Sequence, residues 1–346
     1  MNIKSEISKD TSLILKGIAV VLLVMTHLCG VNNEWIVSIP LGYTNGATIL
    51  SMIGRSCFYI FAFLTGYGMY HSYKKGNIFK ASLKKGISFL LLYWLILLSL
   101  FLPFYIATGS WDTKEFFLSL IGVGHINIYS WYVYFYLIVL ITLPLLRLIL
   151  NKHWSIVPIS IVVLIGVYLI LMKFQNNIPI YDNLCTCLFC YISVLIGYAF
   201  AKECYLTKIV KLFKEKRVLV IISSLLLYIA SFILYFFWTK GILMPFITMF
   251  LIICLATCFT YNVPTLIKKT LTLLGSVSTA LWFIHAVVLT PYINRICNFE
   301  WFFYLPREAF VVVIFTIVIL LPVAWIYTKV HSFAINKLFM GSSNKA

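Results

Sequence analysis

Apolar residues in this chain come in long runs that are apolar on every side, without the period-two alternation of strands. Runs of about 17 to 25 residues are long enough to cross roughly 30 Å of hydrocarbon as helices. They predict spans near 13–30, 47–69, 87–107, 131–150, 154–173, 184–201, 218–238, 242–261, 271–293 and 309–330. The expected fold class is all-α: a polytopic transmembrane helical bundle of about ten spans, forming one membrane domain over 1–346 with no appended soluble domain. A basic, polar leader precedes the first run, but no small-residue cleavage pattern follows, so the run reads as a retained span and not a signal peptide.

Composition agrees. The 346 residues are 62% hydrophobic and 11% charged, far from the balance of a soluble domain of this length. The net charge of +17 would suit a nucleic-acid binder if it formed a continuous basic face, but the cations fall in short clusters between apolar runs. Contact with anionic membrane lipid is expected in place of nucleic acid. With the N terminus in the cytosol, 21 of the 27 Lys and Arg lie on the inner side, the largest cluster running from Lys202 to Arg217. The outer side holds only Lys114, Lys173, Lys240, Arg295 and Arg307, while Arg55 lies within the second span. This asymmetry orients the protein with both termini cytosolic, and the expected location is a cell membrane, crossed many times, of the bacterial cytoplasmic kind. The nine cysteines sit mostly in apolar runs, and the closest group, Cys185, Cys187 and Cys190, would spread around a helix, so no metal site is expected.

One outer segment, SWDTKEFFLSLIGVG, is long enough for structure of its own. Asp112 and Glu115 have capping-box spacing, and Phe116, Phe117, Leu120 and Ile121 would share a face. The pattern predicts a helix lying on the outer surface, either a membrane-anchored connector or a lid.

All ten carboxylates fall in loops or at helix ends, which argues against a proton- or sodium-coupled transporter. The polar groups that do enter the spans are Lys16, His27, Arg55 and His285. Lys16 and His27 are eleven residues apart, which leaves about 20° of net rotation, so both project from one helix face about 16.5 Å apart. At 1.5 Å per residue, His27, His285 and Arg55 come out roughly 21, 21 and 18 Å above the cytosolic edge. Three such groups at one level suggest a single polar site with Lys16 at its inner mouth. Lys16 could also snorkel to headgroups, and either histidine could bond only to a neighbouring helix. A guanidinium as deep as Arg55, with no carboxylate in any span to pair with, calls for an anionic or strongly polar ligand.

These motifs, taken in order, resemble the integral-membrane acyltransferase 3 family. Its first-span pattern, a basic residue, ten residues and then histidine, is similar to Lys16, GIAVVLLVMT, His27; its aromatic-rich second span ending in Ser-Gly-Tyr is similar to FYIFAFLTGYGMY with Thr65-Gly66-Tyr67. The segments SWYVYFYLIVLITLPLL and LGSVSTALWFIHAVVL also resemble family segments, with Trp131 and His285 the matched residues, so that the likeness runs from Leu15 to about Tyr327. The family's basic residue is usually arginine; lysine keeps the charge and loses the bidentate fork. Thr65 keeps the hydroxyl of serine.

The resemblance implies acyl-CoA as donor substrate, acetyl-CoA most often, and a hydroxyl of an extracytoplasmic or lipid-linked glycan as acceptor, reached directly or through a separate extracytoplasmic transferase partner. Lys16 is then expected to bind the donor phosphates and His27 to be catalytic, as base or as acyl carrier. Arg55 and His285 are expected to steady the oxyanion, with Thr65 in the substrate site. Trp131 would stack on a sugar or lie in the interfacial belt. The competing reading is a polysaccharide repeat-unit flippase or polymerase without acyl chemistry, which polar aromatic cavities would also suit.

Overall fold

The computed structural model describes residues 7–31, 36, 40–41, 44–74, 76–109, 111–150, 156–173, 181–238, 242–259 and 263–340. Lys240 and the ends of two predicted spans, 154–155 and 260–261, lie outside the described residues. The described chain is helical apart from one antiparallel pairing of two-residue strands, β1 (Pro40–Leu41) and β2 (Thr44–Asn45). Seven helical stretches are long and apolar enough to cross a membrane: 9–30, 46–73, 78–107, 131–149, 183–203, 217–236 and 309–338. An eighth arises if 265–276 and 278–288, broken at Val277, count as one span. The remaining two predicted spans fall on shorter apolar helices, Val157–Leu171 and Met244–Phe259. This is a multi-pass membrane protein.

Helix α1 (Lys9–Val31) opens on a local cap, in which the Thr11 amide donates to Ser8 Oγ at 3.1 Å. The second predicted span is two helices, α2 (Gly46–Gly54) and α3 (Ser56–Tyr73), with Arg55 alone between them. Helix α4 (Ile78–Ile96) passes through a π turn at Leu97–Phe101 into α5 (Leu102–Ala107). Pro103 lacks an amide hydrogen and crowds the carbonyl four residues back, and the wider turn accommodates it. A short helix α6 (Thr113–Leu120) precedes α7 (Trp131–Leu150), followed by α8 (Ile156–Met172), α9 (Tyr181–Glu203) and α10 (Tyr205–Leu212). Then come α11 (Arg217–Trp238), α12 (Met244–Phe259), α13 (Thr265–Ser276), α14 (Ser278–Ile284), α15 (Pro291–Cys297), α16 (Phe299–Tyr304) and α17 (Ala309–Met340).

The chain folds into two compact units. The first comprises 1–19, 55–81 and 142–275. Its centre is α3 against α9, brought together by glycines: a Cβ on Gly66 would press into the Val194 carbonyl, and one on Gly197 into the Phe63 carbonyl. The same device joins α1 to α13, Gly17 against the Leu271 carbonyl and Gly275 against that of Leu13. In a membrane, helices gain no hydrophobic advantage over lipid, so contact between small residues drives such pairing. The apolar window of α9 is accordingly 78% buried, and that of α11, whose leucines and isoleucines face outward, 22%.

The second unit comprises 20–54, 82–141 and 276–346. Here the rest of α1 meets α2: Thr26 Oγ1 donates to the Ser51 carbonyl at 3.1 Å and Ser51 Oγ to the Thr26 carbonyl at 2.7 Å. Gly54 lets them approach, since a Cβ there would strike Thr26 and the Leu22 carbonyl.

Candidate active site

His27 follows Thr26 directly, so the paired Thr26–Ser51 bonds fix the turn of α1 that carries the imidazole. At the next residue, the Leu28 carbonyl accepts from the Tyr304 hydroxyl at 2.7 Å. His27 is buried.

His285 stands where α14 gives way to a 3-10 turn over His285–Val288. The cause is local: Pro291 cannot donate into a continuing helix, and it pushes Thr290 to extended φ −75°, ψ 115°. His285 is 1% exposed, and its Nδ1 lies 3.3 Å from the Leu281 carbonyl. A carbonyl only accepts, so Nδ1 carries the hydrogen in the neutral ring and Nε2 keeps its lone pair. That Nε2 is buried and has no hydrogen-bond partner among the described residues.

The two imidazoles meet. Their ring centroids are 5.0 Å apart with the planes at 29°, a stacked arrangement. A third ring, Tyr129, lies 3.8 Å from His27 and 5.2 Å from His285, the latter nearly parallel at 12°.

Tyr129 arrives on a loop, 121–130, without regular structure, and polar bonds hold that loop in place. Asp112 caps α6 as the spacing predicts, accepting from the amides of Lys114 at 2.8 Å and Glu115 at 3.3 Å. Glu115 itself accepts from the His125 amide and, at 3.4 Å, from Ser119 Oγ, tying helix to loop. The Ser119 carbonyl takes the Tyr93 hydroxyl at 2.5 Å, and that of Leu120 takes Trp94 Nε1 at 2.7 Å. Gly122 turns the chain at φ +81°, where a Cβ would strike Val133 and the Ser130 carbonyl. Asn127 completes the anchorage, its Nδ2 donating to the Phe283 carbonyl and its Oδ1 accepting from the Tyr129 amide, both at 3.1 Å. The Phe283 carbonyl sits at the change from α to 3-10 register, so Asn127 joins the break that positions His285 to the loop that positions Tyr129. Burial pushes the Tyr129 phenol up to about 12, which keeps it a neutral donor at working pH.

The outer face of α6 is apolar, with Trp111, Phe117 and Ile121 exposed. Trp131, first residue of α7, is buried edge-on to Trp282 at 6.3 Å, and Trp282 lies one turn before His285. The other sequence-predicted residues belong to the first unit. Lys16 is half-buried on α1 beside Gly17. Thr65 folds its hydroxyl back onto the Phe61 carbonyl at 2.9 Å, while its neighbour Gly66 forms the α3–α9 contact and Tyr67 accepts from the Ile7 amide at 3.2 Å. Arg55 is exposed at the break between α2 and α3.

A family model described as an acyltransferase domain, that of the acyltransferase 3 family, matches residues 13–329. The chain belongs to the acyltransferase 3 family. That match reaches into both units and includes Lys16, His27, Arg55, Thr65, Asn127, Tyr129, Trp131 and His285. Comparison with curated proteins and with solved structures gave no match. Tyr129 and Asn127 escaped the sequence reading because a loop has no periodicity to exploit; the available signal was an Asn and a Tyr close before the family-like Trp131.

Proposed function

We propose that this acyltransferase moves an acetyl group from cytosolic acetyl-CoA to a hydroxyl of an extracytoplasmic or lipid-linked glycan, in a bundle of ten spans with both termini in the cytosol of a bacterial cell. The observation that carries the reading is the contact of His27, His285 and Tyr129: two imidazoles and a neutral phenol gathered in a buried setting. Such a group suits proton transfer and stabilisation of a developing oxyanion better than it suits passive transport.

In the direct route, His27 takes the proton of the sugar hydroxyl as its oxygen attacks the thioester carbonyl. The negative charge moves to the carbonyl oxygen, where the Tyr129 phenol donates a hydrogen bond, with Arg55 and His285 as further candidates. Collapse expels the CoA thiolate, which takes the proton back from the imidazolium, leaving the ester and free CoA. In the two-step route, the His27 ring attacks first, CoA leaves, and the acetyl-imidazole passes its acyl group to the sugar. Lys16 binds donor phosphate, Thr65 and Trp131 contribute to substrate binding, and a separate extracytoplasmic transferase could take the acetyl group onward.

The test uses purified full-length protein in nanodiscs with acetyl-labelled acetyl-CoA and an extract of the cell's lipid-linked glycans. Label should enter the glycan and free CoA should appear. A flippase or polymerase would leave the donor untouched, and that result would overturn the reading.

A further inference from the structure

A second polar cluster, in the first unit, is left unused by this chemistry. Arg147 lies in the last turn of α7, half-buried, and its Nη1 donates to the Tyr73 carbonyl at the end of α3 at 2.9 Å. The guanidinium sits over the Tyr73 ring at 5.3 Å and beside the Tyr198 phenol. Tyr198 meets Tyr70 edge-on at 5.3 Å, Lys74 Nζ lies 4.6 Å over Tyr70, and His71 is 5.5 Å from the same ring.

The Tyr73 carbonyl and the Tyr198 phenol engage two of the Arg147 N–H groups. Arginine offers five in a fixed fork, and Arg147 Nε is buried with no hydrogen-bond partner among the described residues. Among those residues the one ion pair is Lys208 with Glu203, so none of them supplies a carboxylate to Arg147. A permanent cation partly withdrawn from water and facing tyrosines rather than acids is matched to a phosphate, and flat phenol faces beside it are matched to a purine.

We infer that Arg147, Lys74 and the Tyr70, Tyr73 and Tyr198 rings form a phosphate-recognition site for the adenosine phosphate end of the acyl-CoA donor. This rests on the donor assignment above and on the inner placement of the end of α7. It adds a nucleotide-binding element separate from Lys16. A phospholipid headgroup shares the phosphate but not the purine, and the experiment separates the two.

The full chain is reconstituted in nanodiscs of neutral lipid and of neutral plus anionic lipid. Acetyl-CoA turnover is measured with adenosine 3′,5′-bisphosphate as competing probe. In the wild type the bisphosphate competes with acetyl-CoA in both lipid mixtures. Arg147→Gln raises the donor KM and the bisphosphate inhibition constant together, by roughly tenfold or more as expected for a lost charged hydrogen bond, while kcat holds within about twofold. Arg147→Lys falls between. Should Arg147→Gln prevent insertion, Lys74→Gln, at an exposed position after α3, gives the same paired rise on a smaller scale. An unchanged inhibition constant overturns the inference, as does a fall in kcat without change in KM, the mark of a structural cap. A wild type that loses donor affinity when anionic lipid is removed assigns the site to lipid and overturns it too. A wild type that neither turns over acetyl-CoA nor binds CoA defeats the acyltransfer reading itself, a result distinct from all of these.

Discussion

The ring cluster around His27 and the arginine cluster around Arg147 are both aromatic and both partly or wholly buried, yet they are built for different work. The first contains groups that can be neutral at working pH, held at their edges by backbone and amide bonds: Asn127 to the Phe283 carbonyl and Tyr304 to that of Leu28. The second contains a cation that cannot be discharged, set against tyrosine faces. A group that must gain and lose a proton is packed among rings that are themselves neutral; a group that must attract a phosphate keeps its charge and has no carboxylate partner among the described residues. The contrast assigns chemistry to one cluster and recognition to the other.

The sharpest way to break that division is to exchange the kinetic signatures. His27→Ala should lower kcat by about 10² to 10⁴ with the donor KM little changed, measured as labelled acetyl transfer per inserted protein. Arg147→Gln should do the reverse. If His27→Ala shifted only KM, the ring cluster would be a binding element and the distinction would fall.

Tyr129→Phe comes next. It removes one neutral donor while keeping the ring that packs on both imidazoles, and the expected loss is about 10²-fold in kcat with correct insertion. Asn127 acts on the same group at one remove, since it bonds the Tyr129 amide and the carbonyl two residues before His285. Asn127→Ala should lower kcat by about tenfold. Made in the Tyr129→Phe background, it should cost markedly less, because the donor it positions is already gone; full additivity would mean that Asn127 serves stability alone.

How much of this could be read beforehand depended on periodicity. The helical rise places His27 and His285 at equal depth, and their rings lie in contact. At Arg55 the same arithmetic assumes an unbroken helix, and the break between α2 and α3 is not read from the sequence SMIGRSCF. Capping chemistry is local, so Asp112 is legible; its partner Glu115 is not, because it bonds across to the His125 amide instead of completing the box. Tyr129 and Asn127 depend on loop conformation and on the 3-10 break, which are tertiary. Apolar runs locate the helices, but not which of them are long enough to cross alone: 157–171 and 244–259 are short, and the ninth run is interrupted at Val277. Of the glycines that fuse α3 to α9, Gly66 is visible only as part of a motif and Gly197 not at all, because their reason, two reciprocal contacts with carbonyls, belongs to the packing.

Lys16 supplies the smallest and most discriminating effect. It shares the first unit with Arg147 and lies next to Gly17, whose contact with the Leu271 carbonyl fixes that turn of α1. A half-exposed ammonium contributes about 1 kcal/mol to a phosphate contact, so Lys16→Ala should raise the donor KM about fivefold with kcat unchanged. The rise should shrink at high salt, which screens an exposed charge more than a buried one. Lys16→Arg should behave as the wild type or bind slightly more tightly, since the charge is kept and a fork is added. If Lys16 only reached for lipid headgroups, Lys16→Ala would lower the yield of inserted protein and leave the donor KM where it was. Steady-state kinetics on equal amounts of inserted protein, at two ionic strengths, separates the outcomes and tells whether donor recognition in the first unit rests on one cation or on two.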